Sequence, residues 1–499
     1  MSEHAEKLFA DALDHHQAGR FEQAVAAYRA ARSILPNSAV ILANLGLALA
    51  SLERWDDAIE AFETAIRLDR TQPAPLEGLI GILFRLGQYD YAEQLSWQLV
   101  QLFPDVLPPY INLAAILVRT RKFEAAHYLL RHAPATGETD PTFQRNLGGV
   151  LSSLGARTAE AAIAAHRKSV ALTPDYPIAH LGLAEALLRA GQMREGWEEY
   201  RPVLQLPPLP GQEWAGEPLD GRSVLIHKDE GFGGGFGDVI HLSRYVPMVR
   251  ALGAAVTFAV PASQIALMRS LAPDLSLVPV GGEMPPCDFH CSLMALPRLF
   301  HTSLDAIPAP IGYLAPPPDR AAVWADRFSA LPGLRVGLIW AGHKYHNESG
   351  SEIDDPRRIG FAPLMRLWRV PGIDFVSLQL GEAAREAALL PDNEVLHDPT
   401  DDLRDFADTA AAMAGLDLII SVDTAGAHLA AALGKPTWIL LASTCCWRWM
   451  YDRVDSPWYP TARLFRQKAP GAWDEVADRL LRGLQSAVKD RGALLLPPH

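Results

Sequence analysis

Apolar and polar positions recur every 34 residues through the first two hundred residues of the chain. Stacked helical pairs need a small residue where two helices touch and an aromatic ring to fill the space between them. The pattern predicts an α-solenoid of about six helical pairs over residues 1–204. The aromatic residues and the alanines three positions after them are Phe21, Trp55, Tyr89 and Phe123 with Ala24, Ala58, Ala92 and Ala126.

The pattern changes after the array. Residues 201–214 are too rich in proline to continue a helix. From Ser223 onward, short β-rich runs alternate with helical ones, which predicts βαβ units and parallel sheets. Five prolines within residues 308–320 divide this region into two Rossmann-like halves. The predicted domains are the repeat array (1–204), a linker (205–222), the first half (223–320), the second half (321–490) and a tail (491–499).

Composition and charge exclude several functional classes. Apolar residues make up 49% of the 499 residues and charged residues 21%, which is typical of a packed globular protein. The net charge of −13 disfavours nucleic acid as a partner. The sequence has no apolar run of membrane-spanning length and no signal peptide, and its four cysteines are too few for a disulfide framework. We therefore expect a cytoplasmic protein without a transmembrane segment.

A glycine-rich loop is the first candidate for chemistry. Residues 230–238, E-G-F-G-G-G-F-G-D, contain five glycines just before a predicted helix, an arrangement that brings backbone N–H groups against an anion. The loop matches neither the dinucleotide fingerprint G-x-G-x-x-G nor the P-loop. The alternative is that it forms only a flexible tight turn.

Several motifs together are more specific than the loop. They are G-W-E-E-Y at the end of the array, S-V-L-I-H-K leading to G-F-G-D-V-I-H-L-S-R-Y, and then R-V-G-L-I-W-A-G, F-V-S-L-Q, F-A-D-T-A and S-V-D-T-A-G-A-H-L-A-A-A-L-G-K-P. This set resembles bacterial tetratricopeptide-repeat proteins with a glycosyltransferase family nine domain, the lipopolysaccharide heptosyltransferase group, over nearly the whole chain. The plan is also similar to that of the protein O-GlcNAc transferases, but the carboxy-terminal motifs match the heptosyltransferases better.

The resemblance implies a GT-B fold, with the acceptor on the first half and a nucleotide sugar on the second. It makes Asp238 the catalytic base, which takes a proton from the acceptor hydroxyl as it attacks the anomeric carbon with inversion. The alternative is that Asp238 only caps its helix. The residues expected at the donor are Gly235, Gly237, Trp340, Lys344, Arg358, Gln379, Asp423, Thr424, Ala425, Gly426 and His428.

We expect no cofactor and no metal. The chain has no D-x-D, the carboxylate pair that usually brings a divalent metal to a nucleotide sugar. Helix dipoles and basic side chains such as Lys344 and Arg358 are then expected to neutralise the diphosphate.

Three functions compete at this stage. The first is a glycosyltransferase whose acceptor is a protein held on the concave face of the repeats. The second is a non-catalytic interaction protein with a degenerate GT-B domain, since the glycine loop carries about three more residues than the family's E-Q-G-L-G-D and lacks its glutamine. The third is another GT-B activity, such as a sugar epimerase, because fold does not fix function.

Overall fold

The computed structural model describes residues 3–204, 209–228, 234–342, 345–346, 352–353 and 355–495. The chain forms two compact units. The first unit comprises Met1–Leu151 with Lys344–Asp354, and the second comprises Ser152–His343 with Asp355–His499. The division at residue 151 lies inside the predicted repeat array, so residues 152–204 carry the repeat pattern but belong to the second unit.

The first unit is built from antiparallel helical pairs. The aromatic residue of each repeat is the first residue of the second helix of a pair, and the alanine that follows it is fully buried. This confirms the predicted helical repeats. The helices are α1 (Glu3–Gln17), α2 (Phe21–Ile34), α3 (Ala39–Ser51), α4 (Trp55–Leu68), α5 (Pro73–Arg85), α6 (Tyr89–Leu102), α7 (Leu107–Arg119), α8 (Phe123–Arg131) and α9 (Pro141–Ser153).

The turn inside each of the first four pairs contains a residue in the left-handed backbone conformation, whether or not that residue is glycine. Gly19 and Gly87 have φ of +71° and +76°, and the equivalent residues Glu53 and Arg121 have φ of 57° and 59°. A left-handed residue ends a helix and costs a non-glycine residue more than it costs glycine. The turn is therefore imposed by packing of the helices on either side of it.

Helices of neighbouring repeats meet around one ring. Phe62 of α4 is fully buried, and a Cβ added at Gly46 of α3 or Gly78 of α5 would lie 2.6 Å or 2.4 Å from its ring. Three helices thus approach each other closely because two of them have glycine opposite the aromatic side chain.

The helices of the second unit begin with the fifth and sixth repeats. They are α10 (Ala159–Leu172), α11 (Pro177–Arg189), α12 (Met193–Tyr200), α13 (Phe236–Leu242), α14 (Val246–Ala251), α15 (Ile265–Met268), α16 (Leu296–Leu299), α17 (Pro318–Phe328), α18 (Phe406–Ala414), α19 (Ala425–Ala432) and α20 (Trp473–Lys489). The longest 3₁₀ helices are Ala362–Arg369 and Glu382–Leu389, and a shorter one is Trp447–Trp449. None of the helices in the described ranges is long and apolar enough to cross a membrane.

Two parallel sheets form the rest of the second unit. The strands are β1 (Gln212–Glu213), β2 (Ser223–His227), β3 (Ala255–Val260), β4 (Ser276–Pro279), β5 (Phe289–Ser292), β6 (Leu334–Ile339), β9 (Ile373–Ser377), β10 (Leu396–His397), β11 (Leu418–Val422), β12 (Thr437–Leu441) and β13 (Ala462–Arg466), while β7 (Tyr345–His346) and β8 (Glu352–Ile353) form an antiparallel pair that belongs to the first unit. The strand order is β1-β5-β2-β3-β4 in the first sheet and β10-β9-β6-β11-β12-β13 in the second. The central strands are buried on both faces, as parallel sheets covered by helices require.

This architecture confirms the predicted fold class, a helical solenoid followed by a GT-B-like pair of Rossmann-like sheets. Two predicted connecting segments contain structure of their own. The predicted linker contains strand β1, which pairs with β5 of the first sheet. The predicted tail begins with the 3₁₀ helix Arg491–Leu495, in which Leu494 is buried and its carbonyl oxygen accepts a hydrogen bond from Trp438 Nε1.

A buried arginine ties the two sheets to the proline-rich segment between them. Arg244, which follows α13, donates from Nε to the carbonyl oxygen of His241 at 2.7 Å. Its Nη1 donates to the carbonyl oxygens of Trp458 at 2.7 Å and Pro308 at 3.1 Å, and its Nη2 donates to Tyr313 Oη at 3.2 Å. A single guanidinium therefore connects three separate stretches of chain.

Candidate active site

The candidate site lies where α13 of the first sheet meets α19 of the second. Each helix begins after the carboxyl end of a central strand, α13 after β2 and α19 after β11. A Cβ at Gly237 would lie 2.9 Å from His428 Cδ2 and 3.5 Å from the Cα of Ala425. Glycine at 237 therefore allows the first turns of the two helices to approach each other. Ligands of open α/β sheets bind at such strand ends.

Asp238 faces both its own helix and the opposite half. Its Oδ2 accepts the backbone N–H of Gly235 at 3.0 Å, and its Oδ1 accepts Nη2 of Arg448 at 2.5 Å. The side chain of Asp238 is 22% exposed and that of Arg448 is 8% exposed. The carboxylate thus caps α13, as one of the two sequence-based alternatives expected, and also forms an ion pair with a nearly buried arginine.

Arg448 is held by the loop that follows β12. Its guanidinium lies over the ring of Trp447, with Cζ 4.2 Å from the ring centroid. Burial works against the charged form and is the largest single influence, but Asp238, Cys446 and Tyr200 together outweigh it, so the pKa of Arg448 is raised above its ordinary value. Sequence reasoning missed Arg448, although W-R-W after the carboxyl end of a strand could have indicated it.

Asp423 adds a second carboxyl group to the site, and this one is buried. It follows β11 directly and is 8% exposed. Burial raises the pKa of Asp423, while the positive charges of Arg357 and Arg448 oppose that shift. Two acidic and two basic side chains therefore interact electrostatically at this end of the sheet.

Of two neighbouring arginines, Arg357 lies nearer the site than Arg358. Arg357 forms an ion pair with Asp355 at 2.8 Å. A Cβ at Gly342 would lie 3.7 Å from Arg357 Nη2 and 3.6 Å from Thr424 Cγ2. Arg358, which the resemblance favoured, forms an ion pair with Glu386 instead. Lys344, the other basic candidate, lies outside the described residues.

Trp340 and Gln379 are buried supports of β6. Gln379 Oε1 accepts the backbone N–H groups of Trp340 and Ala341, both at 2.9 Å. Trp340 is fully buried, and its Nε1 donates to the carbonyl oxygen of Ala383 at 3.1 Å. Their polar atoms bind backbone groups and are therefore already used within the fold.

The first turn of α19 has the arrangement expected for binding an anion. Thr424 is its N-cap residue, and the side chain of Thr424 makes no capping hydrogen bond. The first N–H groups of a helix have no partner within it. A Cβ at Gly426 would lie 2.4 Å from Ile339 Cδ1, so this glycine lets α19 begin against β6. The expected donor residues Thr424, Ala425 and Gly426 thus lie together at the strand end.

One tyrosine hydroxyl joins two buried histidines beside Asp238. Tyr459 Oη lies 2.9 Å from Nδ1 of His428 and 2.9 Å from Nδ1 of His241. The His428 ring stacks on Trp449, with centroids 5.3 Å apart and planes 20° apart. Burial lowers the pKa of both histidines well below the ordinary value, so both are neutral. His241 and Tyr459 were not predicted, although His241 lies three residues after Asp238 on the same helix.

The last repeat packs on the loop that carries Arg448. The Trp197 and Trp447 rings meet edge to face, with centroids 5.0 Å apart. A Cβ at Gly191 would lie 3.0 Å from Met450 Cε, and Arg189 lies over the Tyr451 ring. Helices α11 and α12 therefore support one wall of the site. Among the described residues, no group of three His, Cys, Asp or Glu side chains could hold a metal ion.

Two family models match separate parts of the chain. Residues 9–75 and 44–98 match the family Tetratricopeptide repeat. Residues 404–472 match Glycosyltransferase family 9 (heptosyltransferase). The chain carries tetratricopeptide repeats and a glycosyltransferase family 9 domain. The matched part of this domain includes Asp423, His428, Arg448 and Tyr459, and Asp238 lies outside it.

The chain is similar to Protein FlbA of Caulobacter vibrioides, with 26% identity over 88% of this chain and 83% of that protein. Among solved structures it is similar to MamA of Desulfovibrio magneticus RS-1, with 21% identity over 33% of this chain and 92% of that one, and a TM-score of 0.31. It is also similar to TTC0263, a tetratricopeptide-repeat protein of Thermus thermophilus, with 25% identity over 34% of this chain and 92% of that one, and a TM-score of 0.29.

Proposed function

We propose that this protein is a glycosyltransferase that moves a sugar from a nucleotide-sugar donor to an acceptor by an inverting, metal-independent mechanism. The observation that carries the proposal is the position of Asp238. Its carboxylate lies at the N-terminus of α13, beside Arg448, where α13 meets the first turn of α19. An acid, a buried cation and an anion-binding helix end are the groups that such a transfer needs.

In this proposal, α19 binds the diphosphate of the donor. Its N-terminal N–H groups, near Thr424 and Ala425, carry partial positive charge and favour an anion. Arg448 and Arg357 are the neighbouring cations that stabilise the charge developing on the leaving diphosphate. These groups perform the neutralisation for which other transferases use a divalent metal.

Asp238 takes the proton from the acceptor hydroxyl. While its Oδ1 accepts from Arg448 Nη2, that oxygen is not available to the acceptor hydroxyl. A bound diphosphate would compete for Arg448 and release Asp238 Oδ1 for the acceptor. Donor binding would then activate the base, which orders the two substrates, donor first.

The acceptor in this proposal is a protein held by the repeats. Such arrays present extended concave surfaces to partners. Tethering the acceptor beside the cleft would raise its effective concentration there without any new contact at the catalytic residues.

One observation favours a second candidate, a non-catalytic interaction protein. Both oxygens of Asp238 already have partners, the N–H of Gly235 and the guanidinium of Arg448. If this arrangement persists when donor is bound, no basic oxygen remains for an acceptor. The two candidates differ in whether a nucleotide sugar is turned over.

The test is a calorimetric titration with a panel of nucleotide sugars, followed by transfer or donor-hydrolysis rates for the wild type, Asp238→Asn and the exposed control Asp220→Asn. We expect Asp238→Asn to keep donor affinity within about twofold and to lose about 10²–10⁴-fold in rate, the usual contribution of a positioned base. The control should keep the wild-type rate.

Excess EDTA should leave the rate unchanged. A strict requirement for Mg²⁺ or Mn²⁺ would contradict the metal-independent mechanism. Donor binding without turnover in the wild type would favour the non-catalytic candidate, and a wild-type rate for Asp238→Asn would remove Asp238 as the base.

A further inference from the structure

The hydrogen-bonded side chains of His241, Tyr459 and His428 form a buried network, and only its His428 end reaches the candidate site. His241 is 0% exposed, and its Nε2 has no hydrogen-bond partner among the residues that the structure describes. At the other end, the Cδ2–Nε2 edge of His428 faces Gly237, the residue before Asp238. The network thus begins at a closed interior position and ends at the candidate site.

A tyrosine hydroxyl has one proton to donate, which restricts how these groups pair. The Tyr313 hydroxyl also acts on Tyr459, but it donates its own proton to the carbonyl oxygen of Ile240 at 2.9 Å and accepts from Arg244 Nη2 at 3.2 Å. Since Tyr313 already has these partners, Tyr459 donates to Nδ1 of one histidine and accepts an N–H from Nδ1 of the other. Each neutral histidine carries one ring proton. The donor to Tyr459 therefore has a bare Nε2, and the acceptor from Tyr459 carries its proton on Nε2.

The burial of His241 decides between the two arrangements. If His241 accepted from Tyr459, its Nε2–H would be a buried donor without a partner, and orphaned N–H groups are rarer in proteins than under-satisfied acceptors. The guanidinium groups of Arg244 and Arg448 also act electrostatically on His241. Positive charge nearby favours a lone pair over an N–H. His241 is therefore the donor and leaves its Nε2 lone pair bare.

We infer that His241 and Tyr459 are positioning residues that fix His428 as the Nε2–H tautomer and so hold a neutral hydrogen-bond donor at the site. The proton order is His241 Nδ1–H to Tyr459 Oη, Tyr459 O–H to His428 Nδ1, and His428 Nε2–H toward the cleft. No proton is transferred, since the network only sets which nitrogen carries it. Stacking on Trp449 holds the ring in plane.

The functional part of this inference rests on the proposed transferase. The N–H of a neutral histidine can bind a phosphate oxygen of the donor substrate, whereas the opposite tautomer would present a lone pair there and repel that oxygen. His428 would thus stabilise the transition state through a single N–H.

The tautomers are measured directly by long-range ¹H–¹⁵N NMR of the full-length chain with ¹⁵N-labelled histidine, with assignment from His241→Gln and His428→Gln. We expect His241 to carry its proton on Nδ1 and His428 on Nε2. Protons on the opposite nitrogens would overturn the inference. This result does not depend on whether the protein turns over any substrate.

Kinetics supply the second measurement. Tyr459→Phe removes the hydroxyl and keeps the ring, so we expect a change in the His241 and His428 ¹⁵N signals and a fall in kcat of about tenfold, the equivalent of one net hydrogen bond, with acceptor KM unchanged. The matched control is Tyr245→Phe, which removes another buried hydroxyl, 2.7 Å from Thr302 Oγ1 and away from the site. Equal kcat for the two variants would overturn the positioning role.

The two proposals fail in different ways. An inactive wild type with the expected tautomers would contradict the transferase and leave the network as described. An active wild type with swapped tautomers would contradict the network and leave the transferase in place.

Discussion

The two compact units differ in how far along the sequence their contacts reach. In the first unit, side chains pair across one repeat, as Lys122 does with Glu93 and Arg119 with Tyr89, 29 and 30 residues apart. In the second unit, Asp238 and Arg448 are 210 residues apart, and His241 and Tyr459 are 218 apart. The repeats are thus stabilised by neighbours, whereas the site exists only when the whole second unit has folded.

Removal of the first unit's helices tests this contrast most strongly. A chain that begins at Ser152 should keep donor affinity within about twofold and lose protein-acceptor labelling by about a hundredfold or more, because the acceptor is no longer concentrated at the cleft. The cut belongs at 151 because the Ser152 carbonyl oxygen accepts from Tyr451 Oη at 3.2 Å within the second unit. Calorimetry and labelling on the same preparation make the measurement.

The control is a cut at residue 204, which also removes Trp197 from the Trp447 ring. That chain should lose donor affinity. Full acceptor labelling by the chain from Ser152 would show that the repeats do not recruit the acceptor.

Loss of one ring should destabilise the first unit alone. Phe62→Ala empties the space between α3, α4 and α5, so we expect its free energy of unfolding to fall by about 3–5 kcal/mol. Donor affinity should not change. Urea unfolding and donor titration provide the measurements, and Phe84→Ala, at a partly exposed position on α5, should cost about 1 kcal/mol or less. A similar loss for both would contradict the packing at Phe62.

Acid should weaken the second unit through its neutral histidines. The pKa values of His241 and His428 are lowered in the fold from 6.5, so the unfolded chain binds more protons below that pH. Stability is therefore full above about pH 6.5 and falls as the pH drops, by up to about 1.4 kcal/mol per pH unit for each histidine. Urea unfolding of the chain from Ser152 between pH 7.5 and 5.5 measures the slope. His241→Gln should reduce it, and an unchanged slope would contradict the assignment.

The smallest expected effect separates two glycines of the same helix. A Cβ at Gly78 would meet the Phe62 ring, whereas a Cβ at Gly81 would meet nothing within 4 Å. Gly78→Ala should cost about 1–3 kcal/mol by overpacking. Gly81→Ala should gain about 0.5–1 kcal/mol, since alanine is the better helix former. Thermal unfolding of the two variants gives the comparison, and shifts of the same sign would contradict it.

The same contrast explains what sequence could predict. The aromatic residues of the repeats were found because a 34-residue period is visible along the chain and each ring begins a helix. The alternation of strands and helices gave the two parallel sheets. The strand end that carries Asp423 and Thr424 was found because turn and helix signals follow β11 directly.

Partners far apart in sequence could not be predicted in this way. The resemblance pointed to Arg358, but only the fold shows that Arg358 pairs with Glu386 and that the neighbouring Arg357 lies closer to Thr424. Trp340 and Gln379 were assigned to the donor, and only the fold shows that their buried polar atoms bind backbone groups, because a motif does not show which way a side chain points. Arg448 needed the fold, since only the fold brings it to Asp238.

Arg244 has a mechanical consequence for the second unit. A cleft between two sheets opens by rotation, and every rotation has an axis. Breaking the bonds of this buried cation to three carbonyl oxygens would cost several kcal/mol, many times the thermal energy of about 0.6 kcal/mol. We therefore expect any opening of the two sheets to keep these bonds and to rotate about Arg244. Asp238 is six residues from it on the same helical stretch. Asp238 therefore lies close to the expected rotation axis. An opening that moves the outer edge of the cleft by a large distance would displace Asp238 only a little.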